Sequence, residues 1–303
     1  MEIAERIKKL KQDKNAILLV HNYQVPAIQD LADFIGDSLG LAQAASKTTA
    51  KIIIFCGVDF MAESAKVLNP DKIVIHPEPK AKCPMATMVE IEKLKKLKEE
   101  YPDAAVVSYV NTTAETKALS DICCTSANAV KVVKSLPHKE IIFLPDKHLA
   151  DWVCRYAPEK KIIPWDGHCY VHYELIERPI LEMIKREYPN AEVLVHPECP
   201  AEVREIADFV LSTEGMVKHA AKSDKKEFIV GTEKELCYRL KKENPHKIFH
   251  PIPNAICRAM KMITLEKVLR SLETLEPRVE LSKETIDKAR KPLKRMVDMG
   301  RDD

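Results

Sequence analysis

The sequence is poor in glycine and in aromatic residues, and it lacks the short motifs that mark several large enzyme classes. It has 7 glycines in 303 residues, and neither GxGxxG nor the phosphate-binding GxxxxGKS/T pattern occurs. An enzyme that binds a dinucleotide or a nucleoside triphosphate is therefore disfavoured. No HExxH spacing is present, which argues against that class of zinc enzyme. No CxxC spacing occurs either, which counts against a zinc ribbon or a ferredoxin-type cluster.

Long apolar runs and blocks of a single charge are also missing. No apolar segment approaches the ~18 residues of a membrane-spanning helix, and residues 1–15 predict a charged amphipathic helix rather than a signal peptide. The 48 basic and 46 acidic residues are mixed along the chain, and aromatic residues make up only 6%. We therefore expect a cytoplasmic protein that binds neither nucleic acid nor a membrane, with nine reduced cysteines and a frayed tail at residues 301–303.

Polar landmarks, by contrast, repeat at intervals of 86–88 residues. Cys83, Cys169 and Cys257 follow this interval. Three further sets keep nearly the same register, namely His21, Tyr109 and His196; Tyr23, Asn111 and Glu198; and Ser38, Ser126 and Thr213. A register shared by several sets of residues predicts three copies of one structural unit.

Each copy contains the same order of predicted elements. A first apolar run, which begins at Ala16, Ala104 or Ala191, is typical of a buried parallel strand. A helix opened by a hydroxyl residue, a second strand, short helical stretches and a third strand follow. We therefore predict an α/β fold of three pseudo-threefold-related αβα units, each with a small parallel sheet, around a central active site. Polar pairs, hydroxyl residues and cysteines would then line one crevice at the carboxyl ends of the strands.

The three repeated cysteines suggest a metal centre, because each would deliver one thiolate to that crevice. Three thiolates suit either a zinc ion with an open position or a 4Fe-4S cluster whose fourth iron has no protein ligand. The repeat alone leaves the metal undecided. Cys56, Cys154 and Cys237 lie in apolar or helical stretches, where a free cysteine behaves as a small hydrophobic residue.

Several motifs resemble the quinolinate synthase A family. They are HNYQ at His21, GDSLGLA at Gly36, SYVN at Ser108, PDKHLADW at Pro145, WDGHCYVH at Trp165, HPEC at His196, STEGM at Ser212, and the stretch from Cys257 to Thr264. The resemblance extends from about residue 16 to Met296, in the order of the family.

The resemblance implies an enzyme that condenses iminoaspartate with dihydroxyacetone phosphate to quinolinate, releasing phosphate and two waters, in de novo NAD biosynthesis. It implies one 4Fe-4S cluster per chain, held by Cys83, Cys169 and Cys257 with one open iron. The enzyme that produces iminoaspartate is a candidate partner. The implied domains are residues 1–84 plus 264–303, residues 85–170 and residues 171–263, about a pseudo-threefold axis.

Roles for the repeated residues follow as hypotheses. The hydroxyls of Ser38, Ser126 and Thr213 are expected at helix amino termini, where they would bind substrate anions, although plain helix caps would give the same pattern. Ser212, beside Thr213 in STEGM, joins this binding set. Asn111 can only accept and donate hydrogen bonds, so we interpret it as an orienting group.

Proton transfers are expected from the side chains of the remaining repeated positions, which are His21, Tyr23, Tyr109, His196 and Glu198. We predict Glu198 as the base for enolisation and the final dehydration. Tyr23 and His21 would serve phosphate release and the ketone–aldehyde step. His172, three residues after Cys169, would lie near the cluster and contact the product's carboxylate.

Two other functions fit part of this pattern. An aconitase-like hydro-lyase would use the same open-iron chemistry on a hydroxy acid. A non-enzymatic iron-sulfur redox or iron-sensing module would also explain three cysteines, but not the hydroxyls and polar pairs expected at the same centre.

Overall fold

Each of the apolar runs that open the repeats forms an internal strand of its own parallel sheet. The structure is a computed structural model that describes residues 2–302, and in that range it contains three four-stranded sheets. The predicted α/β class with three αβα units is confirmed. The strands are β1 Ala16–His21, β2 Phe34–Gly36, β3 Ile52–Cys56, β4 Ile73–Ile75, β5 Ala105–Tyr109, β6 Ile122–Cys124, β7 Glu140–Leu144, β8 Lys161–Pro164, β9 Glu192–Val195, β10 Phe209–Val210, β11 Glu227–Gly231 and β12 Ile248–Pro251.

The three sheets share one strand order. It is β2-β1-β3-β4 in the first sheet, β6-β5-β7-β8 in the second and β10-β9-β11-β12 in the third, with every pair parallel. In each unit the second strand pairs with one side of the first strand, and the third strand pairs with the other side. The strand order therefore reverses beside the first strand of the unit. In such sheets, ligands bind in the crevice outside the carboxyl ends at this switch point. The topology therefore places a potential binding crevice at the ends of β1, β5 and β9.

The short edge strands β2, β6 and β10 are not predicted by the sequence patterns, because they contain only two or three residues each. An aspartate, Asp33, Asp121 or Asp208, directly precedes each of them. Its carboxylate accepts a backbone N–H of the neighbouring strand at 2.7–2.8 Å. Its own N–H donates back to that strand's carbonyl at 2.9–3.0 Å. These two hydrogen bonds join each edge strand to its neighbour at the point where the edge strand begins, although the edge strands are too short to show an apolar pattern.

Helices cover both faces of the sheets. Within residues 2–302 they are α1 Ile3–Asp13, α2 Pro26–Gln29, α3 Ser38–Lys47, α4 Asp59–Leu68, α5 Ile91–Glu100, α6 Ala114–Ala118, α7 Ala129–Ser135, α8 Lys147–Tyr156, α9 Tyr170–Glu174, α10 Arg178–Glu187, α11 Ala201–Arg204, α12 Thr213–Lys222, α13 Leu236–Glu243, α14 Leu265–Thr274 and α15 Lys283–Met299. Short 3₁₀ turns occur at Met85–Met88 and Met260–Met262. None of these helices is both long and apolar enough to cross a membrane.

Alternate residues of the first strand enter different cores. Leu18 and Val20 pack with Ile7 of α1 and Val268 of α14 on one face of the first sheet. Leu19 faces the opposite side and joins a cluster that continues into the second unit. This alternation is what a parallel strand buried on both faces requires.

The two C-terminal helices pack against different parts of the molecule. Helix α14 lies against α1, whereas α15 packs against α6, β6 and α4. Ala289, Leu293 and Met296 of α15 are buried in the cluster shared by the first and second units. The domain boundaries at residues 84, 170 and 263 stay a prediction.

The segment after α15 is anchored rather than frayed. Asn128 Nδ2 donates to the carbonyl of Gly300 at 2.9 Å. The guanidinium of Arg301 pairs with the carboxylate of Asp37, at the start of α3. The N–H of Asp302 donates to the carbonyl of Ala127 at 2.9 Å. The expectation of a frayed tail is therefore wrong for residues 301–302, and Asp303 lies outside the described residues.

Candidate active site

The three switch points open on one shared cavity. Thirteen of the fourteen residues predicted for the site line it, namely His21, Tyr23, Ser38, Cys83, Tyr109, Asn111, Ser126, Cys169, His172, His196, Glu198, Thr213 and Cys257. Ser212 alone does not line it; this residue borders a neighbouring cavity together with Ser126. The crevice expected from the repeat is therefore present, and each of the three units contributes to its wall.

Ser38 and Thr213 lie at the amino termini of helices, as predicted, but neither residue is the N-cap. The N-cap of α3 is Asp37, whose Oδ1 accepts the N–H of Gly40 at 2.8 Å, and Ser38 is the first helical residue. The N-cap of α12 is Ser212, whose hydroxyl accepts the N–H of Gly215 at 3.1 Å. Thr213 therefore lies inside the helix. Because the preceding residue performs the capping, the hydroxyls of Ser38 and Thr213 do not cap their own helices.

Ser126 departs further from the prediction, since it lies in a turn before α7. Its hydroxyl lies 3.1 Å from Nε2 of His196, a residue of the third unit. Thr213 likewise joins two units, because its hydroxyl accepts a hydrogen bond from Asn22 Nδ2 at 3.0 Å. Two of the three predicted anion-binding hydroxyls are thus oriented by side chains from another unit.

The three cysteines occupy equivalent loops after β4, β8 and β12. Each is partly exposed and lines the cavity. In every case the backbone N–H of the third following residue is directed at the sulfur and favours the thiolate; these residues are Ala86, His172 and Met260. The three thiols therefore have matching backbone surroundings at one centre.

The thiol set fits a cationic metal group. Burial raises the pKa of Cys83, Cys169 and Cys257, and neighbouring thiolates raise the pKa of Cys83 and Cys169 further. Three thiolates in one place are thus unfavourable unless a positive group binds them, which is what iron or zinc supplies. Cys169 also has ligand atoms of His172 and Glu198 nearby, all within 4.8 Å of one another.

Two histidines at the ends of β1 and β9 have the same local geometry. Nδ1 of His21 accepts the N–H of Tyr23 at 3.2 Å, and Nδ1 of His196 accepts the N–H of Glu198 at 3.3 Å. Burial lowers the pKa of His21 to about 4 and that of His196 to about 3. Both rings are therefore neutral at neutral pH, and the proton lies on Nε2 because Nδ1 is an acceptor. A neutral Nε2–H is suited to donate a hydrogen bond to a substrate oxygen.

Glu198 accepts hydrogen bonds from two units. The Tyr109 hydroxyl donates to its Oε1, and His172 Nδ1 donates to its Oε2 at 2.8 Å. Burial alone would raise the pKa of Glu198, but the His172 and His196 rings and these hydrogen bonds outweigh burial and hold the pKa at about 2. Glu198 is therefore an ionised acceptor at neutral pH.

Thr232 continues this network and was not identified from the sequence. His172 Nε2 lies 2.8 Å from the Thr232 hydroxyl, which lies 2.6 Å from the Tyr23 hydroxyl. His172 Nδ1 donates to the Glu198 carboxylate, and the Thr232 hydroxyl bridges His172 Nε2 and the Tyr23 hydroxyl. Hydrogen bonds thus connect Tyr23 of the first unit to Tyr109 of the second through the third.

Asn111 is the one predicted site residue with an unsatisfied buried acceptor. Its Oδ1 is buried and has no hydrogen-bond partner, although the side chain lines the cavity. Buried amide oxygens are normally paired. The unpaired oxygen is therefore available to a ligand that carries an N–H or O–H group.

The remaining wall is mostly apolar. Val58, Phe60, Met61, Val171 and Met260 line the cavity beside the cysteines. Such a lining excludes water and strengthens the polar interactions inside the site. The sequence reasoning did not identify these residues, since they carry no chemistry and no repeated type.

Comparisons with known proteins agree with the motifs. The family model described as Quinolinate synthetase A protein matches residues 5–298. The quinolinate synthase of Thermodesulfovibrio yellowstonii is 51% identical over 294 residues, which cover 97% of this chain and 97% of that protein. The quinolinate synthase of Pyrococcus abyssi is 50% identical, with 99% and 100% coverage. That of Methanosarcina barkeri is 50% identical, with 98% and 97% coverage.

Proposed function

Because the chain belongs to the quinolinate synthetase A protein family, we propose that it condenses iminoaspartate with dihydroxyacetone phosphate to form quinolinate in NAD biosynthesis. The reaction releases phosphate and two waters. The observation that carries the proposal is identity of about half of all residues to quinolinate synthases over nearly the whole length of both chains. The resemblance inferred from the motifs is confirmed at the level of the family and of the enzyme.

The proposed cofactor is a 4Fe-4S cluster held by Cys83, Cys169 and Cys257. Three cavity-lining thiols with matching backbone surroundings support this assignment. When bound, the cluster supplies an iron without a protein ligand, which acts as a Lewis acid on a substrate oxygen and assists the loss of water. Zinc remains the alternative that the chemistry of three thiolates allows.

Substrate binding is proposed for the polar residues around the cluster site. Both substrates are anions, with two carboxylates on one and a phosphate on the other. The hydroxyl of Ser38 and the neutral imidazole of His21 offer donors to these groups, while Ser126, whose hydroxyl lies against Nε2 of His196, and Thr213 extend the set. Oδ1 of Asn111 accepts from an N–H or O–H of the substrate. Ser212 is less suited to this role, because its hydroxyl already caps α12.

Proton transfer is proposed for Glu198, Tyr23 and Tyr109. Glu198 is ionised and can accept a proton, but a carboxylate with a pKa of about 2 is a weak base. A substrate that replaces the hydrogen bond from Tyr109 or His172 raises this pKa, since those bonds stabilise the ionised form. Burial and the charge of Glu198 raise the pKa of both tyrosines, so their hydroxyls stay protonated at neutral pH and can donate hydrogen bonds to a substrate oxygen.

The first experiment is an anaerobic purification followed by metal, sulfide and product analysis. We expect about four irons and four sulfides per chain, and quinolinate from iminoaspartate and dihydroxyacetone phosphate. Zinc without sulfide would reject the cluster. An iron-sulfur protein that dehydrates a hydroxy acid but forms no quinolinate would support the aconitase-like alternative instead.

A further inference from the structure

Three carboxylates occupy equivalent positions behind the three cysteines. They are Asp59, Asp146 and Glu233, each two or three residues after the end of β3, β7 or β11. Each accepts the backbone N–H of the cysteine in its own unit, at 3.0 Å for Cys83, 3.2 Å for Cys169 and 3.2 Å for Cys257. The same contact therefore occurs three times, once in each repeat.

A second hydrogen bond fixes each cysteine loop to the same segment. A backbone N–H at or beside the carboxylate residue donates to the carbonyl two residues before the cysteine, at 2.9–3.0 Å. These bonds run from Asp59 to Ala81, from Lys147 to Gly167 and from Lys234 to Ala255. These two bonds flank the residue before each cysteine and hold the orientation of the loop.

The carboxylates also serve as anchors for their own segments. Oδ1 of Asp146 accepts the N–H groups of His148 and Leu149 at 2.9 and 2.7 Å, while Oδ2 holds the cysteine. Glu233 pairs with Lys261 at 2.7 Å. Asp146 and Glu233 are completely buried. These side chains are therefore fixed before any ligand arrives.

We propose that Asp59, Asp146 and Glu233 are positioning residues that pre-set the three cysteine loops, so that their thiols converge on one cluster. The proposal rests on the proposed function, since it concerns the cluster assigned there. Groups that orient metal ligands typically contribute about 10- to 100-fold to metal affinity. Their removal should therefore weaken cluster retention more than it weakens the fold.

The chain offers a matched control with the same chemistry at another place. Asp121 also accepts a backbone N–H through its carboxylate, from Val106 at 2.8 Å. Its equivalents Asp33 and Asp208 do the same in the other units. These aspartates bond to the first strand of each sheet rather than to a cysteine loop. A purely structural carboxylate can therefore be compared with a positioning one inside the same unit.

The test compares Asp146→Ala with Asp121→Ala in anaerobically purified full-length protein. Iron and sulfide per chain, the rate of cluster loss to an iron chelator, and the thermal midpoint are measured for both. For Asp146→Ala we expect cluster loss about 10- to 100-fold faster than in the wild type. For Asp121→Ala we expect a lower thermal midpoint with an unchanged rate of cluster loss.

A second pair guards against a variant that fails to fold. Asp59 accepts the N–H groups of Cys83 and Phe60 with the same oxygen, Oδ1. An asparagine keeps such an oxygen, so Asp59→Asn should retain the cluster where Asp59→Ala loses it. This rescue reports on the hydrogen bond itself.

The outcomes separate the inference from the proposed function. Equal rates of cluster loss in Asp146→Ala and Asp121→Ala, or in Asp59→Ala and the wild type, would overturn the positioning role while leaving the cluster in place. A wild-type protein without iron and sulfide would overturn the cluster itself, and the inference with it.

Discussion

The loops that carry the cysteines and the strand ends that carry the polar pairs follow the threefold repeat to different degrees. Each cysteine has the same backbone contacts, a carboxylate behind its N–H and an N–H directed at its sulfur. The strand ends instead hold three different pairs, which are His21 with Tyr23, Tyr109 with Asn111, and His196 with Glu198. The proposed cluster needs three equivalent thiolates, whereas the proposed reaction needs an acid, a base and orienting groups at separate atoms.

The difference teaches that the cysteine loops keep the threefold symmetry in backbone contacts and in residue type, whereas the polar pairs at the strand ends have diverged. Substitutions of the cysteines should therefore have equal effects. Substitutions of the polar pairs should have unequal effects, because each pair meets a different part of the substrates.

The largest expected effect comes from the cysteines. Replacing Cys83, Cys169 or Cys257 by alanine should abolish quinolinate formation and lower iron and sulfide well below about four per chain, because two thiols cannot hold the cluster alone. Cys154→Ala is the control, since Cys154 is exposed on α8. Full cluster content in one of the three variants would mean that the three loops are not equivalent.

Glu198→Gln should produce the next largest effect. It keeps the size of the side chain but removes the charged acceptor, so turnover should fall about 10²- to 10⁴-fold, the usual contribution of a general base. Steady-state rates across pH, with iron analysis of the same samples, provide the measurement. The exposed Glu202, on α11, supplies the matched control Glu202→Gln. Turnover near the wild-type value at every pH would reject Glu198 as the base.

Much of this arrangement could be predicted because residues with distinctive chemistry keep the repeat register. The strands β1, β5 and β9 were recognisable from apolar runs, and the polar pairs marked their carboxyl ends. The N-caps of α3 and α12 are Asp37 and Ser212, which lie one residue before the helix openings expected from the sequence. In each case two neighbouring residues are able to cap, and only the backbone dihedral angles decide between them.

Other residues gave a signal that was overlooked, or gave none. Asp59, Asp146 and Glu233 keep the repeat interval and could have been recognised beside the cysteines. Thr232 could not, because the equivalent positions hold Val58 and Pro145 and no repeated hydroxyl marks it. Its role depends on contacts between units, which a pattern along one chain does not contain.

The two buried histidines should make stability depend on pH. Their folded pKa values, about 4 for His21 and about 3 for His196, lie below the ordinary value of 6.5. The unfolded chain therefore binds more protons in this range, and stability is lost as the pH falls from 6.5 towards these values. Between pH 7 and pH 5 each histidine should cost about 2 kcal/mol.

Denaturant unfolding of the cluster-free protein at pH 7 and pH 5 measures this loss. The free energy of unfolding should differ less between pH 7 and pH 5 in His21→Gln than in the wild type, by about half of the combined effect of the two histidines. His138→Gln, at an exposed position, should leave the difference unchanged. If the wild type, His21→Gln and His138→Gln all lost the same free energy of unfolding between pH 7 and pH 5, the buried rings would not remain neutral.

The smallest expected effects separate a hydroxyl that lines the cavity from one that caps a helix. Ser38→Ala should raise the apparent KM for the substrates about tenfold, the value of a lost hydrogen bond of ~1.5 kcal/mol to a charged group, while stability stays close to wild type. Ser212→Ala should lower the free energy of unfolding by about 1 kcal/mol through the lost cap, with KM unchanged. Steady-state kinetics and denaturant unfolding on the two variants give the full comparison. If Ser212→Ala raised KM and Ser38→Ala did not, the anion would bind beside the cap of α12 rather than at the start of α3, and the unit that receives it would change.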